Sequence, residues 1–393
     1  MSAAICPDIS DVLVSNGLRL AGIDMLMTMP PTVSHWTGDH IAVIDRHNMP
    51  VIAAIQTCER LLPNHYLWDM WPVQAVDGST ARIGEGTLWM ILSSPVCDNP
   101  EARHGMARIH LLYHYDQSGE WRDLGTLLPD DFTPGSREWA GSAVLDAAQT
   151  RVTLYFTATG RAGETQLSFG QRLFETVADL SVINSIPSLQ NWSAPRECVS
   201  NCGAHYMLVD ENNGVPGKIK AFRDPAWFRD PAGTDYLIFA ASMPGGGTHN
   251  GAIGIAVADP AAIGGWRLLP PLLSADGLNN ELERPHILFR DGLYYLFWST
   301  HEFTFADGGP KGPEGLYGMV APSVLGPYTP LNSSGLVAAN PESRPRQSYS
   351  WLVLDDLRVA SFVDSPDGET FIGTPAPMFS LKLDGDKTEL FAQ

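Results

Sequence analysis

The chain lacks any run of about 18 consecutive apolar residues, so no membrane-spanning helix is expected. Its first stretch, Met1 to Gly17, has no basic segment followed by an apolar one, so no Sec-type export signal is read there. Positive charge is scarce: 25 Lys and Arg face 44 Asp and Glu, a net charge of −19. Such a surface repels phosphate backbones and anionic lipids, which sets nucleic acid and membranes aside as partners. A neutral ligand meets no such penalty. Cysteine is sparse and odd in number (Cys6, Cys58, Cys97, Cys198 and Cys202), which argues against a disulfide framework in a chain of 393 residues. Cys198, Cys202 and His205 lie close in sequence, but no second pair at zinc spacing joins them. Plain thiols are expected, with no metal and no cofactor. A glycine-rich phosphate loop after a strand, a metalloprotease helix and a Gly-x-Ser-x-Gly elbow are all missing. The expectation is a soluble protein, cytoplasmic or exported by a route that leaves no N-terminal mark.

What the chain does have is 37 glycines, 30 prolines and a 44% apolar fraction, without long helical periodicity. That balance points to many short strands and turns around a sizeable core. Five segments share one layout, in which a turn precedes an aromatic and aliphatic run that ends in small polar residues. They are Gly86–Ser94, Arg151–Thr159, Thr234–Ser242, Gly292–Thr300 and Leu357–Ser365. Their starts are 65, 83, 58 and 65 residues apart, a period that fits one four-stranded propeller blade with its loops. Arg108–Tyr115 and Gly251–Ala258 read as further strands, and Trp121 and Trp266 each precede a leucine-rich run. The fold expected is all-β, a five-bladed propeller with one central pocket. Residues 1–60 are the least strand-like, so a helical or irregular segment packed on a propeller of residues 61–393 is expected.

Carboxylates embedded in aromatic or arginine-bearing strings mark the candidate site. Asp69 sits between Trp68 and Trp71 in Leu67-Trp68-Asp69-Met70-Trp71-Pro72. Indoles offer flat walls for a sugar ring and shield a carboxylate from water. Arg223 precedes Asp224 in Phe222-Arg223-Asp224-Pro225, where a guanidinium can hold a carboxylate ionised and bind hydroxyl groups. A second Arg229-Asp230-Pro231 follows, so the tripeptide alone also reads as a turn. In Glu281-Leu282-Glu283-Arg284-Pro285-His286 two glutamates at strand spacing would share a face and raise each other's pKa, as suits a general acid. Trp139 in Arg137–Gly141, His301 after Tyr295–Thr300 and Tyr349 in Arg346–Ser350 extend the theme.

In order and spacing over about residues 36–380, these strings resemble the levansucrase family, glycoside hydrolase family 68, and most of all the short Gram-negative levansucrases and related β-fructofuranosidases. The resemblance is densest over Glu283–Val337 and recurs in YLWDMWP, RHGMARIHLLYHY, SREWAGS, FRDPAWF and GIAVAD. It implies a five-bladed propeller whose central pocket binds sucrose and fructo-oligosaccharide or fructan acceptors. It implies Asp69 as nucleophile, Asp224 as transition-state stabiliser and Glu283 as general acid and base. Trp68, Trp139 and Arg223 would line the fructosyl subsite, and Glu281, Arg284, His301 and Tyr349 would bind the glucosyl side or orient the acid. A retaining mechanism would set the Asp69 and Glu283 carboxyl groups about 5–5.5 Å apart.

The chain departs from the family pattern at several positions. Ala240 follows Phe239 where Glu is usual, Lys220-Ala221 replaces an Asn-bearing pair, and Trp298 and Trp351 stand for Thr and His. The C-terminal Tyr-Gly-Tyr-Ile-Pro string is absent, and Asn280 replaces an Asp near the calcium site of Gram-positive members. These changes are expected around the pocket, bearing on donor and acceptor choice. The functions implied are retaining fructosyl transfer from sucrose; as an alternative, a β-fructofuranosidase that mainly hydrolyses sucrose or fructo-oligosaccharides; and, from another class, a propeller that binds sugar without turnover.

Overall fold

The computed structural model describes residues 31–56, 58–201, 203–208, 218–245 and 247–391. The readings for Met1–Gly17, Cys6 and Cys202 lie outside those residues. Within them the fold is all-β, with 25 strands and one five-residue α-helix, Gly38–Ala42. The strands form four sheets of five, ten, five and five strands, antiparallel apart from two short parallel joins.

Five strands lead successive antiparallel runs and pack against one another toward the centre: β1 (His65–Gln74), β2 (Arg137–Leu145), β3 (Phe222–Arg229), β4 (Glu283–Arg290) and β5 (Ser348–Val353). The ten-stranded sheet holds two such runs, joined where Val73 and Gln74 of β1 pair with Ala143 and Val144 of β2. The five recurrent sequence segments are each the next strand outward: Gly86–Pro95, Arg151–Thr159, Asp235–Ser242, Leu293–Thr300 and Arg358–Val363. They read as continuous apolar runs because these strands are covered on both faces, and Leu88, Met90, Leu154, Ile238, Leu296 and Val359 are fully buried. Arg108–Tyr115 and Gly251–Ala258 are strands with the expected bounds, and strands also begin at Trp121 and Trp266.

The segment before β1 is tied to the sheets by a few anchors. Ser34 and His35 pair in parallel with Leu273 and Ser274, and Val51 bridges Ala339. Trp36 is buried edge-on against Trp298, Phe305 and Tyr317. Burying one such indole contributes a few kcal/mol, of order 3–5 by truncation.

Candidate active site

Every central strand is interrupted at the same place. Its pairing slips between Trp68 and Met70 in β1, Trp139 and Gly141 in β2, and Arg223 and Ala226 in β3. The same slip falls between Glu283 and His286 in β4 and between Tyr349 and Leu352 in β5. These are β-bulges, which bend a strand and re-aim its side chains. Four bulge residues take a left-handed backbone: Asp69 (φ 46), Asp224 (φ 61), Arg284 (φ 50) and Ser350 (φ 61). Asp and Ser tolerate that region better than bulky residues, yet each such residue costs about 1–2 kcal/mol. In β2 close packing takes the place of strain, because a side chain at Gly141 would strike the Tyr155 carbonyl oxygen at 1.9 Å.

The bulges turn the side chains of Asp69, Asp224, Arg284 and Ser350, and of their predecessors Trp68, Arg223, Glu283 and Tyr349, into one cavity of about 440 Å³. All ten residues singled out in the sequence line it: Trp68, Asp69, Trp139, Arg223, Asp224, Glu281, Glu283, Arg284, His301 and Tyr349. That volume suits a small oligosaccharide. Arg103, His104, Phe169, Leu167, Phe303 and Ser350 line it as well, and sequence reasoning does not single them out. Arg103 and His104 stand in the RHGMAR string, and the fold sets the Arg103 guanidinium against the rings of Trp68 and Phe371.

Asp69 is fixed by a hydrogen bond from Ser350 and by the nearby charge of Arg284. Burial pushes its carboxyl above the usual aspartate range, against the pull of those two groups. Asp224 accepts a hydrogen bond from the Arg284 backbone N–H at 3.2 Å, while its own N–H donates to Thr157 Oγ1 at 2.9 Å. Burial, and then the carboxylates of Glu283 and Asp69, lift its pKa to about 7 although Arg223 opposes them. Arg284 is a buried part of the cavity lining. Its guanidinium donates to the Met70 carbonyl at 3.0 Å and to Ser350 Oγ at 3.3 Å, beneath Trp71. From there its charge acts on both Asp69 and Asp224.

Glu283 accepts a hydrogen bond from Arg223 Nη2 at 2.7 Å and another from the Tyr349 hydroxyl. The same Nη2 lies 3.5 Å from Glu281. Glu281 precedes β4 and is not part of it, so the expectation of two glutamates on one strand face is corrected. They meet because Arg223 from β3 stands between them. The expected mutual rise in pKa is also one-sided. Burial and then the charge of Glu283 push Glu281 up to about 7. For Glu283 burial acts upward too, but Arg223, His301 and Tyr349 outweigh it and hold the carboxyl below its ordinary value. Of the two, Glu281 therefore holds a proton more readily than Glu283.

His301 stacks on Tyr349 with ring centroids 3.5 Å apart and bonds Glu314 at 2.6 Å. Burial would discharge it, but Glu314 and then Glu283 raise its pKa and favour the imidazolium. Trp139 donates to the His104 carbonyl at 3.2 Å, and Arg223 approaches the Trp139 face at 6.0 Å. Among the described residues, Arg223 Nη1 is a buried donor without a partner. Glu138, next to Trp139, is structural. It is buried and accepts from Arg108 Nε at 3.0 Å and from the Ile109 N–H at 2.8 Å.

The departures do not line the cavity, contrary to expectation. Ala221, Ala240, Trp298 and Trp351 are buried behind its wall. Ala240 pairs with Arg223, Trp298 packs on Trp36 and Tyr317, and Trp351 meets Tyr349 edge-on. They fill the layer that supports the site.

Three comparisons bear on identity. The family model described as Levansucrase/Invertase matches residues 30–250 and 245–392. The levansucrase of Erwinia amylovora is 33% identical over 369 residues, covering 82% of this chain and 85% of its own. LscA levansucrase of Pseudomonas savastanoi pv. glycinea is 31% identical, with 82% and 85% covered. The kestose-bound inulosucrase from Halalkalicoccus jeotgali superposes with a TM-score of 0.83 at 34% identity, covering 91% of this chain and 95% of its own. The levansucrase of Gluconacetobacter diazotrophicus, at 20% identity and TM-score 0.81, shares the fold. By the span of that family match and the identity of these relatives, the chain belongs to the levansucrase/invertase family.

Proposed function

We propose that this chain transfers the fructosyl unit of sucrose, with retention, to fructan, to another sucrose or to water. The observation that carries the reading is the convergence of Asp69, Asp224 and Glu283 on one buried cavity walled by Trp68 and Trp139. The levansucrase relatives and the kestose-bound neighbour support sucrose-derived sugars as its ligands. The five bulged central strands support a five-bladed propeller around that cavity.

Asp69 attacks the fructosyl C2 as the bond to the glucosyl oxygen breaks, forming a covalent ester. Arg284 and Ser350 hold its oxygens in place for that attack. Glu283 protonates the departing glucosyl oxygen. Sugar hydroxyls that compete for Arg223 weaken the hold that keeps Glu283 ionised, so its proton affinity rises as the substrate binds. Asp224 beside the ring grows more favourable as positive charge develops. Glu283 then acts as base toward the acceptor hydroxyl, and the second displacement restores the configuration.

The test is incubation with sucrose, measuring free glucose and free fructose. Glucose in excess of fructose marks transfer, and equal amounts mark the β-fructofuranosidase alternative. Release of neither sugar removes the enzymatic reading and leaves a sugar-binding propeller.

A further inference from the structure

Behind Glu281, outside the cavity, lies a buried cation that takes no part in the proposed reaction steps. Lys220 is 5% exposed, and four oxygens drawn from two segments surround its ammonium, which shares its three N–H groups among them. These are the carbonyls of Gly247 (3.0 Å) and Thr248 (2.8 Å), Asn250 Oδ1 (2.5 Å) and Asn280 Oδ1 (2.7 Å). An ammonium can only donate, so it dictates which end of each amide faces it. The amide nitrogens must point away. Asn250 Nδ2 donates to the Met243 carbonyl at 2.6 Å, and Asn280 Nδ2 donates to Glu281 Oε1 at 3.2 Å. The other Glu281 oxygen faces Arg223 Nη2, which also holds Glu283.

We propose that Lys220 is a positioning residue, a tethered internal cation that acts through Asn280 to hold Glu281, and through Glu281 and Arg223 sets the acid–base behaviour of Glu283. This rests on Glu283 being the proton donor. The groups facing the ammonium are Glu281 and Asp276, with His249 nearby. Those facing Glu281 are Glu283, Arg223, His301 and Asn280. Removing a positive charge from this set favours neutral Glu281, so its titration must move upward.

The experiment compares wild type, Lys220→Met and Asn280→Ala. Asn280→Ala keeps the ammonium and cuts its link to Glu281, so it serves if Lys220→Met does not fold. Glutamate carboxyl carbons are followed by ¹³C NMR against pH, with Glu281 assigned through Glu281→Gln, beside pH profiles of kcat/KM on sucrose. The expected result is an upward move of the Glu281 titration and of the alkaline limb, with kcat reduced about tenfold. An unchanged Glu281 titration in the folded variants overturns the proposal. The NMR reading needs no turnover, so a wild type inert toward sucrose would sink the functional assignment separately.

Discussion

Replacing Asp224 with asparagine should abolish turnover and yet stabilise the protein, in a manner set by pH. Burial lifts this carboxyl from its ordinary 3.8 to about 7 in the folded chain. Between those values the unfolded chain has lost the proton while the folded chain still holds it. Stability therefore falls as pH rises through that window, and the full loss is present above pH 7. A shift of that size corresponds to about 4 kcal/mol. The asparagine of an Asp224→Asn variant would retain an acceptor for the Arg284 N–H but lose the attraction of Arg223, so a net gain of about 1–3 kcal/mol is expected above pH 7. Thermal melts of both proteins from pH 4 to pH 8 give the measurement. The difference should be near zero or negative at pH 4 and grow positive toward pH 8, by a few degrees in Tm. A difference that is flat with pH, or a variant less stable at pH 8, would refute the idea that the site keeps Asp224 at the expense of stability.

Asp69→Ala and Glu283→Gln should each lower kcat on sucrose by about 10²–10⁴-fold with circular dichroism unchanged, and unaltered rates in both would remove their assigned roles. The pH profile of kcat/KM should be bell-shaped, with an acid limb above the ordinary aspartate range from Asp69 and an alkaline limb near the value of about 7 carried by the glutamate pair. Tyr349→Phe removes a donor from ionised Glu283, so its proton affinity rises and the alkaline limb should move up; a downward move contradicts the wiring. Phe303 lies at the cavity rim, 56% exposed and stacked on His301 at 4.6 Å, as an acceptor sugar would need. Phe303→Ala should lower the ratio of transfer to hydrolysis about fivefold, read from glucose against fructose, because aromatic stacking contributes about 1 kcal/mol.

Much of this was legible because the residues that make the site also make the strands. The fully covered second strands announce themselves as apolar runs, and Arg151–Thr159 is found to the residue. Asp69 between two indoles and Arg223 beside Asp224 were visible because such strings are poor solvent-facing surface. The bulges were not visible, since a bulge changes the register of pairing and leaves composition untouched. That is why Glu281 and Glu283 read as one strand face when only Glu283 enters β4. Ser350 and His104 were missed for a related reason: a serine and a histidine carry no signal until a partner such as Asp69 or Trp139 is brought beside them. Lys220 looked like a simple departure, and only the fold gathers its four oxygens from residues 27 to 60 positions away.

The repeated bulge also explains how one architecture yields chemically different walls. An unbroken strand would send neighbouring side chains to opposite faces, one toward the cavity and one into the sheet. The slip in register places two consecutive residues at the cavity instead, so a central strand contributes a pair: Trp68 with Asp69, Arg223 with Asp224, Glu283 with Arg284, Tyr349 with Ser350. Pairing sets Asp69, Asp224, Arg284 or Ser350 beside an aromatic, arginine or glutamate in the same lining. The cost is four left-handed residues at about 1–2 kcal/mol each, held in place by the covered strands outside them. Relieving that cost by restoring regular pairing would return one member of each pair to the sheet. The strain is therefore inseparable from the meeting of Asp69, Asp224 and Glu283. Ser350→Gly, whose new residue accepts φ 61 freely, should relax the backbone while removing the hydroxyl that holds Asp69.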